Sequence, residues 1–349
     1  MKISDNHISL IIDYLRANSG VSSKEIYDKT SVDLMSYVSL QRLLKELIKK
    51  DLISIKGSGK STKYEVSDAY QLIHEINLDD YFKKEIDERV IRKNYNYDLI
   101  KKILNKVELF TLQELEKLMG LQQVYQEKTN KLTKAEYKIE LERLAIDLSW
   151  KSSQIEGNTY SLLETEHLLK NKETAAGKTK DEAVMLLNHK EAIDFLVVNE
   201  DYVRPLLLRS IEDIHSLLIK ELGVERNIRK RSVGISGTNY RPIDNEFHIK
   251  EAMEEMCGLV NLKQNAFEKA LLVLLLISYI QPFDDDNKRT ARIVSNAILM
   301  SHHCCPLSFR TVDSTDYKKA MLIFYEQNNL SAFKKIFITQ FEFAVNTYF

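Results

Sequence analysis

The stretch QPFDDDNKRTAR, Gln281 to Arg292, sets three acids, two amides and three basic residues behind the most apolar run of the chain, ALLVLLLISYI. A tight turn ahead of a helix points free N–H groups into a concavity that favours anions, so the chemistry on offer is phosphate binding. Asn287 is placed to hold the loop or a phosphate. Asp285 suits Mg²⁺, which takes few carboxylates and completes its shell with phosphate oxygens. Arg289 and Arg292, three apart, share one helix face from which both reach phosphates. Taken alone, the same residues make an ordinary acidic turn with arginines in the helix that follows.

The elements that must position this loop are helical. The chain has 349 residues, with 50 Lys and Arg against 51 Asp and Glu, and only 4 Pro. Near-zero net charge gives no global field for nucleic acid or a membrane surface. High charge with few Gly and Pro predicts helices throughout, in two or three domains. The N-terminus, MKISDNHISLII, lacks the layout of a signal peptide, and the apolar run from Ala270 to Ile280 is too short to span a bilayer. Three cysteines suit a reducing compartment, and the expectation is a cytoplasmic protein with no membrane partner. HHCC at 302–305 reads as a helix end before Pro306, since four consecutive residues rarely close one zinc tetrahedron.

Residues 1–67 show three short amphipathic stretches and then LISIKGSGKSTKYEVS, which alternates, turns at Gly57-Ser-Gly59 and alternates again. This order resembles a winged helix-turn-helix. Its third helix would present Ser39, Gln41, Arg42 and Lys45 to duplex DNA, and its wing Lys56, Lys60 and Lys63. Protein binding or dimerisation is the alternative, and a homodimer is left open. Residues 68–145 are charged and helical, and are expected to be a scaffold joining two modules.

From Ile139 onward five blocks follow in order: LSWKSSQIEGNTYSLLETEHLL, EAVMLLNHKEAIDFL, IEDIHSLLIKEL, RKRSVGISGTNYRPID and the loop itself. Together they resemble the Fic (Fido) family, whose members move AMP, or sometimes phosphate, from a nucleotide to a protein hydroxyl. The resemblance covers residues 146–349. It implies an all-helical core with a small β-hairpin flap, which with the N-terminal module makes a mainly α protein. It also implies ATP with Mg²⁺ as cofactor and a target protein with a Ser, Thr or Tyr hydroxyl.

The family signature is His, Pro, Phe, any residue, Asp or Glu, Gly, Asn, Gly or Lys, Arg, two residues, Arg. Pro282, Phe283, Asp285, Asn287, Lys288, Arg289 and Arg292 fit it. Gln281 stands where the family's proton-accepting His belongs, and loss of a general base costs about 10²–10⁴ in rate. Asp286 stands where the first Gly belongs. Asp tolerates positive φ, so the turn is expected to form. Its carboxylate would face bound phosphate, and like charges at about 4 Å repel by about 4 kcal/mol at an effective dielectric of 20.

SSQIEGN fits the family's inhibitory motif, with Ser152, Glu156 and Gly157 at its fixed positions. The resemblance pairs Glu156 with Arg292, which would deny that arginine to the γ-phosphate. A plain helix end at Gly157 is the alternative. RSVGISGTNYRPI alternates like a strand pair about Gly237, and the resemblance makes Gly237, Thr238 and Tyr240 part of a target-clamping flap. Three functions follow: a degenerate nucleotide-binding Fic core coupled to a DNA-binding winged helix, a working AMP- or phosphate-transferase, and a non-enzymatic scaffold.

Overall fold

Helix starts are written into this chain as Ser or Thr followed three residues later by Glu. Each such pair closes a reciprocal capping box that satisfies orphan N–H groups. Such boxes open the helices at Ser22, Thr111, Thr133, Ser161 and Thr179. The computed structural model describes residues 5–31 and 34–349, the side chains of 5, 6 and 60 excepted. They group into two compact units, Met1–Glu75 and Ile76–Phe349.

The first unit runs α1 (Asp5–Ala17), α2 (Ser23–Thr30), α3 (Tyr37–Lys49), β1 (Ile53–Lys56), β2 (Lys63–Val66) and α4 (Asp68–Ile73). The strands pair antiparallel from Ile53 opposite Val66 to Lys56 opposite Lys63. Gly57 starts the turn at φ +78°, and a Cβ there would meet the Ser61 carbonyl oxygen at 2.7 Å, so only glycine fits. Ile11, Leu15, Ile26, Leu40, Leu43, Leu44 and Leu47 bury one face of each helix against Ile53 and Val66. Each such aliphatic side chain contributes about 1.5–3 kcal/mol on burial.

The second unit is helical among its described residues: α5 (Leu78–Phe82), α6 (Leu112–Thr129), α7 (Lys134–Ile155), α8 (Leu162–Asn171), α9 (Lys180–Val198), α10 (Leu208–Leu218), α11 (Glu246–Leu262), α12 (Ala266–Ile280), α13 (Asn287–Ser301), α14 (Ser314–Gln327) and α15 (Ser331–Thr347). The segment expected to be a separate scaffold, 68–145, is shared out: α4 lies in the first unit and everything from Ile76 in the second. The apolar run is α12, buried at every residue from Ala270 to Ile280. It packs on α13 and α11, while α9 and α10 flank α13. No helix among the described residues is long and apolar enough to cross a membrane. α13 ends at Ser301 with His302 as its cap, and Cys304 and Cys305 turn into the core.

The flap differs from its expectation. The only ladder among the described residues is β1–β2, and 231–243 carries no strand. It turns at Gly237, φ +87°, and its legs bond to other parts of the unit instead of to each other. Arg241 N donates to Lys93 O at 2.7 Å. Arg89 donates to Gly237 O at 2.8 Å.

Candidate functional site

α12 ends because Gln281 adopts a left-handed conformation, φ 53°. The loop then holds itself in shape. Asn287 Oδ1 accepts from Phe283 N at 2.8 Å, and its Nδ2 donates to Phe283 O at 2.8 Å and Gln281 Oε1 at 3.1 Å. Of the two roles open to Asn287, this structure shows the loop-holding one. Gln281 Nε2 donates to Ser278 O at 2.7 Å, so both ends of its amide are bound to its own loop. Phe283 stacks on His215, ring centroids 3.7 Å apart, and His215 Nε2 lies 3.2 Å from Asp285 O. Burial brings the His215 imidazole down to about 4, so it is neutral near pH 7.

Asp286 also takes a left-handed conformation, φ 64°, immediately before α13. Its carboxylate is buried and ion-paired with Arg289 three residues on. Burial pushes that carboxyl up to about 6 despite the arginine. Asp285 is exposed, and its Oδ1 accepts from Asp286 N at 2.7 Å. Asp284 pairs with Arg231 at 2.7 Å.

Glu156 reaches the same loop from the end of α7. Gly157 at φ +104° terminates that helix and leaves Glu156 as its cap. Oε1 lies 2.9 Å from Arg292 Nη2, and Oε2 lies 3.0 Å from Lys288 Nζ. Ser152, one turn back, accepts from Arg292 Nε at 2.8 Å and through its carbonyl from Nη2 at 2.9 Å. Arg292 has no exposed surface, and its guanidinium lies 5.3 Å from the centroid of the Tyr317 ring. Burial alone would raise the Glu156 carboxyl, but Arg292 and Lys288 outweigh it and bring it down to about 2.

Glu156 and the loop line a cavity of about 630 Å³, within the range of small-molecule sites. Glu156 and 284–289 form one wall, 233–237 a second, and α14 a third through Tyr317, Met321 and Tyr325. Of the flap residues, Gly237 lines the cavity and Thr238 accepts from Tyr240 N at 3.1 Å. Tyr240 does not line the cavity. It is buried, donates to Tyr279 O at 3.0 Å and stacks on the Tyr279 ring at 4.8 Å. The apolar underside of the unit takes the ring that strand alternation would have sent outward.

Residues 205–299 match the Fic/DOC family model. That stretch is similar to a Fic domain. Over 173 residues, 48% of this chain and 40% of the relative, the sequence is 30% identical to the protein adenylyltransferase Fic of Nematostella vectensis. The chain thus spans less than half the length of that relative. Fic-1 from C. elegans superposes with a TM-score of 0.60 at 19% identity, covering 68% of this chain and 72% of that one. A Fic domain-containing signalling protein from Bacteroides thetaiotaomicron gives 0.52 at 18% identity, covering 67% and 94%. The fold is the Fic fold.

The loop also depends on contacts that its own sequence does not signal. Arg229 is buried and donates to backbone carbonyls. Its Nε donates to Gln281 O at 2.6 Å, Nη1 to Arg231 O at 2.7 Å, and Nη2 to Ile243 O. One side chain therefore ties both legs of the flap segment to the loop, and nothing local in RKRSV signals it. The Asp286–Arg289 pair was legible, since an acid three residues before an arginine at a helix start faces it.

In the first unit, Arg42 and Lys45 lie exposed on α3. The other candidates are engaged. Gln41 Nε2 donates to Ser23 Oγ at 3.1 Å and Tyr37 Oη at 3.0 Å. Ser39 Oγ bonds Ser36 Oγ at 3.0 Å. Lys56 pairs with Glu65 at 2.8 Å and Lys63 with Glu25 at 3.5 Å. The Lys60 side chain lies outside the described residues.

Proposed function

We propose that the Fic domain binds nucleotide at the loop cavity as a protein adenylyltransferase of impaired activity, held back by Glu156, and that the first unit is a winged helix that binds duplex DNA. One observation carries the nucleotide reading. Glu156 bridges Arg292 and Lys288 at the wall of a cavity that also holds Arg289. Among the described residues, Arg289 Nε and Nη1 are buried with no hydrogen-bond partner. Unpaired guanidinium N–H groups beside a cavity suit phosphate oxygens, so the residues present fit ATP.

ATP bound there would supply AMP as the group to be transferred, with Mg²⁺ neutralising its phosphates and Asp285 on the cavity wall as the protein's ligand to the metal. The carboxylate of Glu156 keeps Arg292 from the terminal phosphate and repels it. Gln281 carries no group that accepts a proton near neutral pH, and its amide is already bound at both ends. The half-exposed run 232–236 beside the cavity is where an extended target segment bearing a Ser, Thr or Tyr hydroxyl would lie. For the winged helix, the support is the exposed pair Arg42 and Lys45 on α3, with the ion-paired wing lysines contributing less.

Calorimetry with ATP and Mg²⁺, followed by labelling with ATP marked on its α- or γ-phosphate, tests the nucleotide reading. Binding with slow transfer of the α-label is expected. Absence of any ATP binding after Glu156→Gly would overturn it, and fast α-transfer by the unaltered protein would overturn the impairment.

A further inference from the structure

The charges at the cavity are largely engaged with one another. Its lining holds four carboxylates, Glu156, Asp284, Asp285 and Asp286, against three cations, Lys288, Arg289 and Lys318. Arg292 behind the wall and Arg231, paired with Asp284, make five cations against the four carboxylates. His189, wholly buried close to Arg289 and Arg292, adds nothing, because burial holds its imidazole well below the usual range and therefore neutral.

The two inner carboxylates differ in kind. Glu156 sits at a helix end beside a glycine and leaves Arg292 if that end moves. Asp286 has no such freedom: it stands in the loop at the start of α13 and is buried against Arg289. Among the described residues, its Oδ2 and Nε and Nη1 of Arg289 are buried with no hydrogen-bond partner, and both residues line the cavity. Arg289 is thus offered to a ligand only at its remaining N–H groups, next to the Asp286 carboxylate.

We infer that Asp286 is a specificity-determining residue of the cradle: its carboxylate stands in for one phosphoryl group at Arg289, so the cavity takes a nucleoside bearing a single phosphoryl group in preference to a triphosphate. A monophosphate needs only the N–H groups left over by Glu156 and Asp286. A triphosphate must place a further anion against Asp286. The inference rests on the nucleotide reading above and names the ligand of that same site. It differs from the Glu156 contact in its permanence, since releasing Glu156 leaves Asp286 on Arg289.

The test is calorimetry of AMP, ADP and ATP with EDTA present, on the unaltered protein, Asp286→Asn and Asp286→Gly, with circular dichroism to confirm folding. Asn keeps the size of Asp and its tolerance of the left-handed backbone. The unaltered protein binds AMP at least as tightly as ATP. In Asp286→Asn, ATP tightens by about tenfold or more while AMP changes by less than about threefold. Asp286→Gly moves the same way, which separates removal of charge from any effect of the amide. A preference of the unaltered protein for ATP, or an equal change in AMP and ATP on substitution, overturns this inference and leaves the nucleotide site standing. Absence of binding of any nucleotide to all three proteins and to Glu156→Gly overturns both.

Discussion

Glu156 and Arg292 lie 136 positions apart in sequence and 2.9 Å apart in space, so their pairing can be isolated by a double-mutant cycle on ATP affinity. The fall of the Glu156 carboxyl from 4.5 to about 2 corresponds to about 3 kcal/mol in favour of the charged, paired form, with burial already set against it. The attraction comes first from Arg292 and then from Lys288, and groups in one ion-pair network couple by about 0.5–3 kcal/mol. In a dissociation constant that range spans about two- to hundredfold. The assay is calorimetry with ATP and Mg²⁺ on the unaltered protein, Glu156→Gly, Arg292→Ala and the double variant. Glu156→Gly tightens binding by at least about tenfold, and Arg292→Ala weakens it. With Arg292 already gone, Glu156→Gly still frees Lys288, so its effect falls to about threefold or less without vanishing. Equal effects of Glu156→Gly in both backgrounds would refute direct competition between Glu156 and nucleotide for Arg292.

Restoring a base should raise transfer: Gln281→His together with Asp286→Gly increases α-phosphate labelling by about 10²-fold or more over the unaltered protein, and no increase in a folded variant means the site lacks something beyond a base. The Glu156 pairing is also acid-labile. A carboxyl held below 4.5 contributes stability that is complete above that pH and is lost as pH falls toward about 2. The Tm gap between the unaltered protein and Glu156→Gln should therefore be constant from pH 7 to 5, narrow below about 4.5 and close near pH 2; a gap as wide at pH 3 as at pH 7 contradicts the assignment. Duplex DNA bound through Arg42 and Lys45 should weaken with salt at a slope near −0.9 per phosphate contact, about −2 for the pair, and an unchanged slope in Arg42→Ala/Lys45→Ala removes them from the interface.

What could be read from the sequence was local. Capping boxes at Thr133 and Thr179 fix the helix starts because both partners lie within one turn. The uninterrupted apolar run at 270–280 has no polar face to expose, so α12 had to be central. Asp286 accepted a left-handed backbone as expected of its residue type. What could not be read depended on distant partners. Tyr240 follows the alternation of a half-exposed strand, yet a ring on α12 claims it. Arg229 resembles its solvated neighbours Lys230 and Arg231 until three carbonyls from separate segments surround it.

SSQIEGN shows how the two kinds of information meet. From sequence, a helix end at Gly157 and an ion pair from Glu156 look like rival accounts of one motif. In the folded chain the first produces the second. Gly157 takes φ +104°, which most side chains avoid, and so stops α7 with Glu156 as its last, capping residue. Ser152, one turn earlier, is then in position to bind the same arginine that Glu156 pairs with. A substitution at Gly157 would therefore act on the site without touching it. Gly157→Ala keeps every group of the cluster but strains the backbone that presents Glu156. It should tighten ATP binding in the direction of Glu156→Gly, and it should have little further effect once Glu156 is gone. If Gly157→Ala still shifts ATP affinity in the Glu156→Gly background, the helix end matters to the cavity by some route other than aiming that carboxylate.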